Sequence, residues 1–262
     1  MAGSVQLVLL LKYFPRFPGP VMSPSHGGLG LKLVLDRIIM KRGSWSCAAD
    51  GILVPGIHLI SGRVGSGKTT LAELICGLLE PTSGELVLDG ISSWMLCQQF
   101  PEYHVIGATL EKEAQSYGVV PELALDRAGL TGRGGEDPFC LSRGELRKLQ
   151  FSCLSLCDRD LFVWDEPYSA LDCREKQRVA QHLSTRSSGI TILFTHEQRY
   201  FPKTDYLWEM CDGVLKYVGK VPEALPLWEH APSHIRFLIG KGVIPANLTE
   251  EDLGEALCRM QG

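Results

Sequence analysis

The sequence has no apolar run near the ~20 residues that a membrane-spanning helix needs. Its N-terminal stretch Val5–Leu11 is short and is broken by Gln6. No basic segment precedes that stretch, because Lys12 and Arg16 follow it, and no small-residue cleavage site closes it, so a secretory leader is not expected. There is no run of five basic residues, and 26 Lys plus Arg against 30 Asp plus Glu leave a net charge of −4. Proteins that coat nucleic acid need a cationic surplus, so that class is disfavoured and no nucleic-acid partner is expected. No C-x-x-C pair occurs among the 9 cysteines, an odd number scattered along the chain. A disulfide framework and zinc spacing are both missing. Cys153 and Cys157, four apart on an expected helix, are a poor metal site alone, and the thiols read as small hydrophobes in a reducing compartment. Internal repeats and heptad arrays are also missing.

What is present is enough chain, 262 residues, for one large domain with appendages. Residues 1–30 include four prolines and four glycines between positions 13 and 30. They are expected to be a disordered extension or an over-long start, with Met22 an alternative start and a peripheral apolar anchor the rival reading. Beyond them, strands are expected at Leu31–Leu35, Ile57–Ser61, Leu86–Leu88, Trp94–Leu96, Leu161–Trp164 and Thr191–Phe194. Helices are expected at Thr69–Leu79, stopped by Pro81 and Gly84, then at Thr109–Tyr117, Glu122–Ala128, Ser142–Cys157 and Arg174–Leu183. Tyr206–Met210 and Val214–Val218 read as a hairpin, and Thr249 with Asp252 can cap a last helix over Glu250–Met260. Strands alternating with helices predict an α/β fold with a mostly parallel sheet covered on both faces.

Three motifs carry chemistry. Gly62-Arg-Val-Gly-Ser-Gly-Lys68-Thr69 fits G-x-x-x-x-G-K-[ST] between a buried strand and a helix. Glycines let backbone N–H groups turn inward as an anion nest, and the helix start adds positive potential. Lys68 would then reach β- and γ-phosphates, and the Thr69 hydroxyl would ligate Mg²⁺. Downstream, the apolar run Leu161–Trp164 ends in Asp165 and Glu166, a pair suited to holding Mg²⁺ and to deprotonating an attacking water. Leu141-Ser142-Arg143-Gly144-Glu145 opens the long helix with capping-box spacing, so it is either a well-capped helix alone or also an anion site.

Taken in order, the phosphate loop, Gln99, Leu141–Glu145, Leu161–Glu166, Ser169-Ala-Leu-Asp172 and Thr195-His196 resemble the nucleotide-binding subunit of ABC transporters over roughly residues 31–220. The resemblance implies a P-loop NTPase core that binds ATP with Mg²⁺ and hydrolyses it in a head-to-tail dimer. It assigns Gly62, Gly65, Ser66, Gly67, Lys68, Thr69 and Thr70 to the phosphate loop. Gln99 becomes the glutamine that contacts Mg²⁺ or water and senses the membrane partner. Ser142, Gly144 and Glu145 become the signature motif that meets the γ-phosphate held by the other subunit. Asp165 becomes the Mg²⁺ aspartate, Glu166 the general base, Asp172 the aspartate of the following loop, and His196 the switch histidine.

Three departures stand out. Arg143 replaces the first signature glycine and is expected to point away from the nucleotide or towards an anionic neighbour. The adenine-stacking aromatic is missing from its usual place, leaving Trp45 as the candidate, against a core tryptophan. The segment from Gln99 to Leu141 is short, so the helical subdomain, about 99–157, is trimmed.

Gln98-Gln99-Phe-Pro-Glu102-Tyr-His104, Thr109–Glu113, Lys220-Val-Pro-Glu223 and, within a helical C-terminal tail at 221–262, the stretch Pro232–Gly242 resemble energy-coupling-factor ATPases, which drive vitamin and transition-metal uptake. That implies a second ATPase subunit, identical or paralogous, a transmembrane coupling protein, and a place on the cytoplasmic face of the membrane. Glu102, Glu111 and Glu113 are expected to offer an acidic face to that coupling protein. A soluble ABC-type ATPase acting in DNA repair or on ribosomes is the alternative.

Overall fold

A computed structural model describes residues 30–186 and 188–260. Apart from Gly30, the N-terminal stretch discussed above lies outside them. The described strands are β1 (Lys32–Arg42), β2 (Trp45–Leu53), β3 (Gly56–Ser61), β4 (Ser83–Asp89), β5 (Trp94–Cys97), β6 (Leu161–Asp165), β7 (Ile190–Thr195), β8 (Tyr206–Cys211) and β9 (Val214–Lys220). They form one sheet in the order β4-β1-β2-β9-β8-β3-β7-β6-β5. The pairs β5–β6, β6–β7, β7–β3 and β3–β8 are parallel. The pairs β4–β1, β1–β2 and β8–β9 are antiparallel.

The hydrophobic pattern explains this division. β6 and β7 are buried at every position, as parallel strands covered on both faces must be. β1 instead alternates, burying Leu33 and Leu35, then Ile38 and Met40. A bulge between Leu35 and Ile38, with Arg37 at φ 47°, absorbs the extra residue and keeps the apolar set on one face. β2 was not expected from the sequence. Its Ser, Ala, Asp and Gly content is poor in strand formers, yet it pairs along β1 from Leu33↔Leu53 to Arg42↔Trp45. Tertiary pairing overrides propensity here.

The helices are α1 (Lys68–Ile75), α2 (Leu110–Ser116), α3 (Pro121–Ala128), α4 (Arg143–Leu156), α5 (Cys173–Ser184), α6 (Ser233–Gly240) and α7 (Glu250–Arg259). α1 is shorter than expected: it ends at Ile75, with Cys76 as its C-cap just before Gly77 at φ 72°, rather than running on to Leu79. α7 starts as expected, with the Thr249 side chain accepting from the Asp252 N–H.

The tail is part of the body. Leu225, Trp228, Ile235, Leu238, Leu248, Leu253 and Ala256 belong to the same buried cluster as Phe162, Trp164, Leu193 and Leu207. Trp228 Nε1 also donates to Ser61 Oγ at 3.0 Å, at the mouth of the phosphate loop.

One face of α4 grips the segment that follows β5. Arg143 Nη2 donates to Glu102 Oε1 at 2.7 Å. The fully buried Arg147 donates to the carbonyls of Gln98, at 2.9 Å, and Gln99. Gln150 Nε2 donates to Pro101 O at 2.7 Å. The spacing of four and then three residues puts all three side chains on one side of the helix.

Candidate active site

The phosphate loop leaves the buried end of β3 and enters α1 at Lys68. Two of its glycines are required by close approach. A Cβ on Gly62 would lie 2.5 Å from the Met210 carbonyl, and one on Gly67, at φ 108°, would lie 3.0 Å from both Met210 and the Trp45 ring. Gly65, at φ 82°, faces open space instead, which leaves its backbone accessible to a ligand. Ser66 Oγ is buried without a hydrogen-bond partner among the described residues. Lys68 is 5% exposed; its Nζ donates to the carbonyls of Gly62 at 2.8 Å and Arg63 at 3.0 Å, and lies 3.3 Å from Glu166 Oε1.

The two carboxylates at the end of β6 have different surroundings. Asp165 Oδ2 accepts from Thr69 Oγ1 at 2.8 Å, while Oδ1 is buried with no partner among the described residues. Burial pushes Asp165 up to about 6, and the neighbouring Glu166 charge adds to this, against the Thr69 hydrogen bond and the Lys68 charge. A hydroxyl and a carboxylate with an unused oxygen form a hard, all-oxygen donor set of the kind Mg²⁺ prefers. The glycine loop with Lys68 likewise suits a polyphosphate. Glu166 sits at φ 50°, a strained conformation for a residue with a side chain, and its N–H donates to Phe194 O at 2.9 Å. That turn aims its carboxylate at β7. Oε2 accepts from Thr195 Oγ1 and from the His196 N–H, both at 3.2 Å, and Oε1 lies 2.7 Å from His196 Nδ1.

These groups share one cleft of about 410 Å³. It is lined by Trp45, Gly65, Gly67, Lys68, Thr69, Thr70, Gln99, Glu166 and His196, together with Arg42 and Val64. Trp45 is half-buried on the β1–β2 hairpin with its ring against Gly67; it lines the cleft on one side and packs against the hydrophobic core on the other. Ser142, Gly144, Glu145 and Asp172 do not line this cleft. Ser142 and Glu145 form a complete capping box at the start of α4. Arg133 also binds Glu145 at 2.7 Å, and Arg133, then Ser142, hold the Glu145 carboxyl down at about 2. Gly144 faces the Ala170 carbonyl, 3.5 Å from where its Cβ would be, and Asp172 caps α5 by accepting from the Glu175 N–H at 2.9 Å. The signature residues and the loop before α5 therefore neighbour each other on a surface apart from Lys68.

Arg143 does turn to an anionic neighbour, Glu102, and its guanidinium also lies 5.8 Å from the Phe100 ring. The acidic face is corrected: Glu102 is tied to Arg143, and Glu113 is buried, accepting from the N–H groups of Ile106 and Gly107 at 2.8 and 2.7 Å. Only Glu111 of the three is exposed. Sequence reasoning also missed Arg147, which fixes the backbone on either side of the Gln99 side chain. Its place four residues after Arg143 was the available signal.

Known proteins resemble this chain in sequence and in fold. The ABC transporter family profile matches residues 55–169. An energy-coupling factor transporter ATP-binding protein of Thermotoga maritima is 32% identical over 189 residues, covering 64% of this chain and 72% of that relative. A cytochrome c biogenesis ATP-binding export protein of Hyphomonas neptunium is 30% identical over 195 residues, covering 71% of this chain and 94% of the relative. Among solved structures, a bacterial Atm1-family ABC exporter with ATP bound aligns with TM-score 0.66 at 18% identity, over 82% of this chain and 42% of that one. The cbiO1 structure from Clostridium perfringens, part of the ABC transporter complex cbiONQ, aligns with TM-score 0.54 at 19% identity, over 73% of this chain and 89% of that one. Those two likenesses are of fold alone. With relatives of this identity and coverage, the chain belongs to the ABC transporter family, as an ATP-binding subunit whose ATP hydrolysis is coupled to transport.

Proposed function

We propose that this chain works as one of two head-to-tail ATPase subunits of an energy-coupling-factor type uptake transporter for a vitamin or transition metal ion, peripheral to the cytoplasmic face of the membrane. One observation carries the head-to-tail arrangement. The cleft that gathers Lys68, Thr69, Gln99, Glu166 and His196 lacks Ser142 and Gly144, so a second subunit would have to supply its signature helix start. The uptake class rests on the Gln98–His104 segment and on the energy-coupling-factor relative.

In this reading Thr69 and Asp165 would hold Mg²⁺, which would supply positive charge to offset that of the phosphates. Lys68 exchanges the Gly62 and Arg63 carbonyls and the Glu166 carboxylate for phosphate oxygens, a charge-assisted contact. Freed from Lys68, Glu166 accepts the proton of the attacking water. His196 and Thr195 orient that carboxylate, as their contacts to both of its oxygens suggest. Trp45 stacks on the adenine ring. Gln99 reports occupancy to the membrane partner, for which the exposed aromatic pair Phe100 and Tyr103, with ring centroids 5.5 Å apart, offers a docking face.

The test is Glu166→Gln. It should retain ATP binding, lower turnover about 100-fold or more, and convert a monomer into a dimer when ATP is added. Wild-type turnover in that variant overturns the general-base assignment. A wild-type ATPase rate that stays linear in enzyme concentration far below the dimer constant overturns the paired site. Co-purification from membranes, followed by uptake assays with vitamins and transition metal ions, tests the uptake class.

A further inference from the structure

Behind the phosphate loop lies a second cavity of about 670 Å³, bounded by Gly62–Ser66 on one side and by the end of β8 and the start of the tail on the other. β8 places a carboxylate in it where the pattern calls for an apolar side chain. Glu209, 1% exposed, sits between the buried Trp208 and Met210. A buried charge must be paired or must coordinate a metal. Glu209 Oε1 accepts from the His230 N–H at 3.0 Å and lies 3.2 Å from His230 Nδ1. Its other oxygen, Oε2, is buried with no partner among the described residues. Arg236 also borders the cavity but does not satisfy that oxygen.

More donors converge on the same point. One ligand atom each from Glu209, Glu229 and His230 lie within 4.8 Å of one another. Cys211 Sγ is 3.7 Å from His230 Nδ1.

We propose that Glu209, Glu229 and His230 bind a transition-metal dication of the zinc type, with the Cys211 thiol as an adjacent soft donor. The donor set selects the class. An imidazole, two carboxylates and a thiol suit Zn²⁺ or Co²⁺, whereas Mg²⁺ prefers oxygen alone. With Zn–N and Zn–O bonds near 2.0 Å and Zn–S near 2.3 Å, tetrahedral neighbours stand roughly 3.3–3.6 Å apart. The observed separations of 3.2 Å and 3.7 Å are close to those edges. Glu229 is exposed, so its side chain can give up a loose 3.6 Å pairing with the exposed Lys216 and rotate inward. The place of the site gives it a role. Met210 O abuts Gly62, and the Gly213 N–H donates to Ser66 O at 3.0 Å, so a metal between β8 and the tail braces the outer wall of the phosphate loop.

The site does not depend on the transport reading and is tested without it. The full chain, stripped of metal, is titrated with Zn²⁺ by calorimetry in excess Mg²⁺, and with Co²⁺ by absorption spectroscopy. The expectation is one tight Zn²⁺ per chain that Mg²⁺ does not displace, and a Co²⁺ spectrum of tetrahedral type. Glu209→Gln and His230→Ala should each weaken Zn²⁺ by about 100-fold or more, beyond the ~10–100-fold loss from removing an outer-shell partner. Asp165→Asn, which alters only the oxygen donors beside Thr69 and borders neither Glu209 nor His230, should leave this Zn²⁺ site as it is. His230 is half-exposed, so His230→Ala decides the matter if Glu209→Gln does not fold. No tight Zn²⁺, or tight Zn²⁺ that survives His230→Ala, overturns the proposal, the second outcome assigning the metal to thiols elsewhere.

Discussion

Replacing Asp165 by asparagine should make the protein more stable at neutral pH while removing its Mg²⁺-dependent activity. Asp165 titrates at about 6 instead of the usual 3.8, because burial penalises its charge more than Thr69 and Lys68 relieve it. The folded state thus holds a proton there more tightly than the unfolded state does. The stability from this group is complete below pH 3.8 and is lost as pH rises through about 6. At about 1.4 kcal/mol per pH unit, the loss at pH 7.5 is about 3 kcal/mol. Asparagine carries no charge and can still accept from Thr69 Oγ1. Its amide nitrogen would occupy the place of Oδ1, which already lacks a partner, so one unpartnered polar position replaces another and part of the gain is offset. The net gain should be on the order of 2–3 kcal/mol at pH 7.5, or roughly 5–10 °C in Tm for a chain of this size, and should vanish near pH 4. Thermal unfolding of both proteins from pH 4 to 8, in chelator and without nucleotide, measures this directly. An asparagine variant less stable than wild type at pH 7.5, or a gain that is the same at pH 4.5, refutes the argument. The same titration requires MgATP affinity of the wild type to fall as pH drops through 6, because the metal needs the ionised carboxylate.

Lys68→Ala should weaken MgATP by about 1.5–3 kcal/mol, the scale of a charge-assisted contact, and unchanged affinity by calorimetry would remove Lys68 from the phosphate site. Trp45→Ala should cost about 1–3 kcal/mol of ATP affinity, as loss of a base-stacking ring does, without reducing triphosphate affinity. Equal losses for ATP and inorganic triphosphate would make Trp45 a prop for Gly67 and not an adenine platform. Glu102→Lys should set two cations together and lower stability by about 1 kcal/mol. Adding Arg143→Glu should recover it, and a double variant no better than the single one would show that the pair does not bridge the two segments.

The sequence carried the chemistry more clearly than the scaffold around it. Gly62–Thr69 and Leu161–Glu166 were legible because a buried strand, a turn and a helix each have a short-range signature, and the structure brings Lys68, Thr69, Asp165 and Glu166 together as that pattern requires. β2 was illegible because its Ser, Ala and Gly residues take a strand conformation only through pairing with β1. The acidic residues of the 102–113 segment misled for a related reason. Composition shows charge but not direction, and Glu113 spends its carboxylate on two backbone N–H groups inside the fold. The signature motif left two readings open, and the capping one is fully realised in a single chain. Contact with a second subunit lies beyond any single-chain signal. Glu209 was invisible because one carboxylate in an apolar strand acquires meaning only when His230 arrives from the tail.

The grip of α4 on the segment after β5 has a mechanical consequence. Arg143, Arg147 and Gln150 span the first 8 positions of a 14-residue helix, which at 1.5 Å per residue is about half of a rod roughly 21 Å long. The held carbonyls belong to Gln98, Gln99 and Pro101. A rod clamped along half its length to a strap cannot tilt without dragging the strap. Any push on the outer end of the helical region is therefore delivered to Gln99 as a displacement of similar direction, with the free half of the rod as the lever arm. The same push re-aims the Ser142 end that would face a neighbouring subunit. Opening of the metal-side contact and withdrawal from the opposite nucleotide would then be one motion with one pivot, and loosening Arg147 should let the two slip out of step.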